Sequence, residues 1–252
     1  MRKSTLADVI SPPVFCHLRK SGGAPPGIRY ALPVHRNRVS TLTLMLMLAS
    51  SLNAAEPTAA DDKDWTLASN TAGIALYSRV RQGSPIKEFK AVGSIEATTT
   101  SVHQVLDDVD SYPAFMPFVT ECRVVKRDGN ATFTYQRLSP KLCSDRDYTL
   151  RIDEKSWAHP GGPAYLNKWQ PANDFGPAQK KGVLRVSLCE GSWLLEPDGE
   201  KKTRAVYTIF TDSGGTLPGF LANAASGIGI RKVFAAVRKQ VTLPKYATLS
   251  AR

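Results

Sequence analysis

Along most of the chain apolar side chains recur at every second position, and only in a few places do they recur at every third or fourth. Alternation marks half-buried strands, and the wider spacing marks helices that lay one face on a core. The period-two segments are "GIALYSRV", "KEFKAVGSIEA", "TECRVVKRD", "ATFTYQRLS", "RDYTLRIDEKSW", "AYLNKWQPA", "GVLRVSLCEGSWLLEPDG" and "TRAVYTIFTD". Asp128-Gly129-Asn130, Pro160-Gly161-Gly162-Pro163 and Asp198-Gly199 separate successive segments, as antiparallel hairpins require. The stretch "TTTSVHQVLDDVDSY" sets Val102, Val105, Leu106 and Val109 at helical spacing and must end before Pro113. "DDKDWTLASNTAGI" reads as a short helix, acidic at its start and with Gly73 near its exit. Near the chain end, Gly214 and Gly215 stop a strand and a long helix begins. Its apolar stripe is Phe220, Ala224, Ile228, Ile230, Val233, Phe234, Val237 and Val241. Strands in a row with helices at the ends predict an α+β domain.

A long helix laid across a curved antiparallel sheet leaves space that becomes either packed core or a ligand cavity. Alternation puts Phe133, Tyr135 and Arg137 on one face of their strand and Arg146, Tyr148, Leu150 and Ile152 on one face of the next. These more apolar sets are expected to look inward, each carrying one arginine. From the long helix, Phe220, Asn223, Ala224 and Ile228 complete the expected ligand-facing set. Arg137 is the principal candidate, because a buried guanidinium must meet a carboxylate, ordered water or an anionic ligand head. Arg185 shares this chemistry, but Leu184, Val186 and Leu188 occupy the other parity of its strand and leave its direction open. Gly227 and Gly229 each cost about 1 kcal/mol relative to Ala inside a helix, which marks a weak point in the cover.

The front of the chain carries no core pattern. Residues 1–38 hold seven Lys and Arg against Asp8, with Pro and Gly clusters. The last two of these basic residues, Arg36 and Arg38, precede an apolar run from Leu42 to about Leu52, which the small residues Ala54 and Ala55 close, the order of a secretory signal. The run is shorter than the roughly 20 residues of a spanning helix, so a membrane anchor is the weaker reading. Residues 1–55 are therefore expected to be a basic leader and signal peptide cleaved near Ala54 or Ala55, and residues 56–252 an exported, periplasmic domain. Removing the leader takes +6 of the net charge of +11 with it. The remaining excess is scattered, with "QKKG" and "GEKKTR" beside turns, so no nucleic-acid surface is indicated; a mildly basic surface favours transient contact with anionic membranes. Cys122, Cys143 and Cys189 remain after Cys16, without CxxC spacing; export would allow one pair to form and leave one over.

Enzyme motifs are missing. HExxH, GxSxG and GxxxxGK[ST] do not occur, and "GIG" lacks a third glycine and a preceding strand. His103 and His159 read as surface residues, and Asp107, Asp108 and Asp110 as a capping or solvated cluster. No metal or organic cofactor is implied. Phe115, Met116 and Phe118, between Pro113 and Pro117 or next to it, form a stiff apolar loop suited to packing, to lining a tunnel or to a membrane surface.

The blocks "GIALYSRV", "SDRDYTLRI", "GVLRVSLCEGSWLLEPDG" and "VYTIFTDSGGTLPGFLANAA" resemble the StAR-related lipid transfer (START) family in order and spacing, from about Trp65 to Gln240. The resemblance implies a helix-grip fold, with a curved antiparallel sheet around a long C-terminal helix and one lipid in an internal hydrophobic cavity, for transfer or sensing. Family lipid contacts would fall on Tyr135, Arg137 and Tyr148. Two departures stand out. The phosphate-binding arginine of phosphatidylcholine carriers is replaced by "YPAFMPF", and the Glu and Arg of sterol carriers correspond to Arg137 and Ile152. The alternatives within the same superfamily are a cyclase-like enzyme and a quinone-binding chaperone.

Overall fold

The computed structural model describes residues 64–140, 144–212, 214 and 219–247, leaving aside the side chains of 219–222, 224 and 225. The leader reading of residues 1–55 and Cys143 lie outside the described residues. Ten strands and four helices follow one another: β1 (Thr66–Thr71), β2 (Ile74–Val80), β3 (Lys87–Ile95), α1 (Thr99–Asp107), α2 (Tyr112–Phe115), β4 (Val119–Asp128), β5 (Ala131–Leu138), β6 (Arg146–His159), β7 (Gly162–Pro171), β8 (Leu184–Arg185), β9 (Leu188–Pro197), β10 (Thr203–Asp212), α3 (Gly219–Gln240) and α4 (Pro244–Ala247). One sheet runs in the order β1-β2-β3-β10-β9-β7-β6-β5-β4. All these neighbours pair antiparallel. The α+β class and the antiparallel sheet of the sequence reading hold, and no described helix is long and apolar enough to cross a membrane.

Two elements differ from expectation. The segment read as an opening helix contains strand β1 instead. Its cause is the two-residue connection Ala72-Gly73, both at positive φ (55° and 66°), which closes Thr71 onto Ile74. Two successive positive φ values give the tight turn whose twist matches a hairpin, and pairing then overrides the weak helical signal. The second difference is in "GVLRVSLCEGSWLLEPDG", which breaks in two. Residues 172–183 cross the outer face of the sheet, and β8 pairs parallel with β6 at Arg146 and Asp147. β7 pairs with β6 only from Leu150 onward. β8 therefore takes the edge of β6 that β7 has vacated.

The core lies between the inner face of the sheet and α3. Phe234 and Val237 of α3 are fully buried, with Ile74, Ala91, Ile95, Leu195 and Ala205 among their surroundings. Phe234 approaches so closely that a Cβ at Gly93 would lie 3.0 Å from its ring. Glycine at that position lets the helix settle onto β3. The polar edge of α3 is tied down as well. The Arg238 guanidinium donates to the carbonyls of Ser94, Ala72 and Gly73, and Arg231 donates to Ser69.

A clasp joins the chain end to α1. Ser101 donates to the Tyr246 carbonyl, while Tyr246 Oη and Lys245 Nζ both donate to Asp108 Oδ2 at 2.7 Å. Burial alone would raise the Asp108 carboxyl, but hydrogen bonds from Lys245, Tyr246 and Ser111 outweigh it and hold the pKa below its ordinary value. A carboxylate with a depressed folded pKa adds stability that is complete above its unfolded value of about 3.9 and is lost as the pH falls through the folded one. The stability difference between the native chain and Asp108→Asn is thus expected to be full at neutral pH and to shrink only as the pH falls below about 4. Urea midpoints of the two proteins between neutral and acid pH measure it, and a difference independent of pH would refute the role given to this carboxylate.

Candidate functional site

β6 builds one wall of the site. Its even positions, Arg146, Tyr148, Leu150 and Ile152, all face a partly open cavity of about 310 Å³ between the sheet and α3. The register of the β5–β6 hairpin decides which residues of β5 join them. Leu138 stands opposite Arg146, and Gln136 opposite Tyr148. Directly opposed residues share a face, so Gln136 and Leu138 line the cavity. Phe133, Tyr135 and Arg137 consequently look the other way, and the expected inward direction of these three is corrected.

What they do instead is structural. Arg137 forms an ion pair with Asp145 at 2.6 Å, so the carboxylate required for its guanidinium comes from the protein. Tyr135 is fully buried and donates to Asp147 Oδ2 at 3.2 Å, and Arg185 holds the same carboxylate at 2.7 Å. Burial, then the neighbouring Asp147 charge, pushes the Tyr135 hydroxyl up to about 12, which keeps it a donor. Phe133 stacks obliquely on Phe175, with ring centroids 4.5 Å apart. Asn173 accepts from the Thr149 amide and donates to the Val186 carbonyl. The outer face of β5 and β6 is thus covered by residues 172–183 of the same chain, with the Arg185 side chain reaching Asp147 beside them.

The other walls come from β7, β9, β10 and α3. Trp169, Trp193 and Tyr207 form a continuous aromatic surface, their centroids 4.6 and 5.6 Å apart, and Trp193 reaches Phe234 at 5.1 Å. A Cβ at Gly191 would lie 2.6 Å from the Trp169 ring and 2.2 Å from a backbone oxygen, so only glycine leaves room for that indole. α3 contributes Ser226, Gly229, Ile230 and Val233. The segment from Met116 to Val119 closes the remaining side, where Phe118 sits at φ 67° and Lys232 of α3 lies 4.9 Å from its ring centre.

The polar groups inside are few. Tyr148 donates to Gln136 Oε1, and Tyr112 to the Leu106 carbonyl. Burial holds the hydroxyls of Tyr112, Tyr148 and Tyr207 well above their ordinary pKa and raises the Cys189 thiol to about 11. Cys122 and Cys189 are free thiols, so neither takes part in the disulfide that export would allow. Arg146 is buried at one end of the wall, donating to the Ser144 and Gly214 carbonyls. Near the other end, Asn167 is 7% exposed and its Oδ1 has no hydrogen-bond partner.

From the long helix, Ile228 is 56% exposed and faces solvent, against expectation. The amphipathic stripe turns at this point, and Ile230 and Val233 take the inner positions. Asn223 accepts from the Lys87 amide and does not line the cavity. Phe220 and Ala224 lie outside the described side chains. The sequence reading passed over Trp169, Trp193 and Asn167; their alternation within "AYLNKWQPA" and "LCEGSW" carried the signal, once the neighbouring register was known.

Rat phosphatidylcholine transfer protein is 27% identical over 168 residues, 66% of this chain and 78% of that protein. The crystal structure of a STAR-related lipid transfer protein from Xanthomonas axonopodis superposes with a TM-score of 0.64 at 25% identity, covering 71% of this chain and 99% of that one. Human StAR-related lipid transfer protein 5 shares the fold at a TM-score of 0.61 and 19% identity, covering 72% and 88%. The START resemblance read from the sequence, and the helix-grip architecture it implied, are borne out by these structures. Residues 95–238, more than half of the sequence, match the family described as polyketide cyclase / dehydrase and lipid transport; with the curved sheet, the gripping helix and the cavity between them in place, the chain belongs to that family.

Proposed function

We infer that the protein carries one hydrophobic ligand, a lipid, and shields it from water during transfer. The observation that carries this reading is the deep, partly open cavity between α3 and the concave face, lined mainly by aromatic and aliphatic side chains. Its volume of about 310 Å³ is at the lower end of small-molecule sites. From Arg146 to Ile152 the wall runs about 20 Å at strand rise. An acyl chain extended along that wall meets Tyr148, Leu150 and Ile152 on one side and Ile230 and Val233 of α3 on the other. Each buried methylene contributes about 0.8 kcal/mol, and ten give about 8 kcal/mol, the scale of micromolar binding before association costs. Arg146 at one end suits an anionic or strongly accepting head, and Asn167 Oδ1 awaits a donor near the other.

A carrier role rather than catalysis is supported by the chemistry of the walls. Tyr112, Tyr148, Tyr207 and Cys189 are protonated at neutral pH even at their ordinary pKa values, and burial raises these further, so none is activated as a general base or nucleophile. Loading takes place through the seam between the Met116–Val119 segment and α3, with the part-exposed Phe118 ring meeting the membrane surface. Export by a leader ending near Ala54 or Ala55 belongs to the same proposal.

One experiment examines these points. Protein expressed from the full-length gene and purified from the periplasmic fraction is expected to show, in native mass spectra, a polypeptide beginning near residue 56 and a single bound lipid. After delipidation, incubation with phospholipid vesicles restores the adduct and quenches Trp169 and Trp193 fluorescence. A ligand-free protein that takes up nothing from vesicles would sink the carrier reading, and an intact residue 1 would sink the leader reading alone.

A further inference from the structure

Outside the cavity the structure gathers three ligating side chains that the carrier role does not use. His103 and Asp107 lie four apart on α1 and so share one face of the helix. Glu154 reaches them from β6. One ligand atom from each of the three lies within 4.8 Å of the others. His103 was expected at the surface, yet it is only 9% exposed and its ring is stacked on Tyr165, with centroids 4.1 Å apart and planes 23° from parallel. That stacking fixes the imidazole plane, and Tyr165 is itself held near Thr100 Oγ1 at 3.3 Å.

The decisive observation is His103 Nε2. It is buried and lies 3.2 Å from Glu154 Oε1, yet it makes no hydrogen bond. Distance permits the bond, so the failure lies in direction: the carboxylate stands off the axis along which the ring nitrogen donates or accepts. For a simple ion pair this wastes a buried polar atom, which is desolvated without compensation. For two ligands of one ion the arrangement is what bonding demands. Bonds of about 2.1 Å from nitrogen and oxygen to a tetrahedral centre set the two donors about 3.4 Å apart, each well off the other's axis.

We propose that His103, Asp107 and Glu154 form a binding site for a first-row divalent cation that clips α1 to β6. One imidazole and two carboxylates match Zn²⁺ in donor type and number, whereas Ca²⁺ requires six to eight oxygens. Three protein donors leave a fourth position for water or a further ligand. Asp107 is exposed and the Glu154 side chain is 38% exposed, so the ion has a path from solvent. The site adjoins the cavity, because Asn167, which lines it, stands directly opposite Glu154 in the β6–β7 register. Metal occupancy there would stiffen the α1 side of the cavity without touching the ligand.

The test uses the full chain, stripped by chelator and titrated with Zn²⁺ in a calorimeter, with Co²⁺ absorption as a second readout of coordination. One equivalent is expected to bind. His103→Ala is expected to weaken it by on the order of 100-fold, and Glu154→Gln and Asp107→Asn by at least about 10-fold. The two carboxamide variants leave the His103 packing intact, so their metal-free thermal unfolding is expected to match that of the native chain. Absence of binding overturns the proposal. So does binding that survives all three substitutions, which would place the ion on His159 or on the leader histidines His17 and His35.

Discussion

Asp147→Asn is expected to lower the free energy of unfolding by about 3 kcal/mol, the lower end of what is lost when one partner of a buried ion pair is removed. Asp147 is 0% exposed and accepts from both Tyr135 and Arg185. The substitution leaves the Arg185 guanidinium beside a neutral amide. Arg185 keeps a small solvent-facing fraction, which is why the upper end of the range does not apply. Removing the cation as well, in Asp147→Asn with Arg185→Met, should restore part of the loss, because an uncompensated charge costs more than an absent pair. Denaturant midpoints of the two single variants and the double variant give the coupling directly. A loss below about 1 kcal/mol would place this pair among ordinary surface contacts.

Gly229→Leu is expected to abolish ligand uptake while the protein stays folded. A Cβ at Gly229 meets nothing within 4 Å, and the residue lines the cavity, so a larger side chain there grows into the ligand space. Gly229→Ala is the control. It gains about 1 kcal/mol of helix stability and leaves most of the room. In native mass spectra the leucine variant should carry at least about tenfold less lipid than the alanine variant, a difference of about 1.4 kcal/mol or more in binding. Equal loading of the two would mean that the ligand lies elsewhere. Gly227 behaves differently, since a Cβ there would press on Leu76 at 3.3 Å. Of the two glycines that weaken α3 on paper, Gly227 is explained by packing and Gly229 by the space beside it.

The sheet and both main helices were legible because their periods differ and glycine-rich turns separate them. Faces were legible strand by strand, and only in that sense. Alternation correctly grouped Arg146, Tyr148, Leu150 and Ile152, where a polar set on the other parity left one sensible choice. On β5 it grouped Phe133, Tyr135 and Arg137 correctly but pointed them inward, since the more apolar face ordinarily meets the core. That inference failed because residues 172–183 fold back over the outer face of β5, giving it a second, smaller interior. The pairing of Gln136 with Tyr148 settles the matter, and register is not written in either strand alone. The His103, Asp107 and Glu154 cluster was out of reach for a similar reason. Its third member arrives from a strand distant in sequence, and no local spacing announces it.

Along β6 consecutive side chains alternate between two tasks, the even ones meeting the ligand space and Asp147 and Thr149 anchoring the flap behind. A substitution at an even position alters the space beside α3 and leaves the fastening at 147 and 149 in place, while one at 147 or 149 loosens the segment behind the sheet and leaves the wall as it was, so one strand separates two kinds of change.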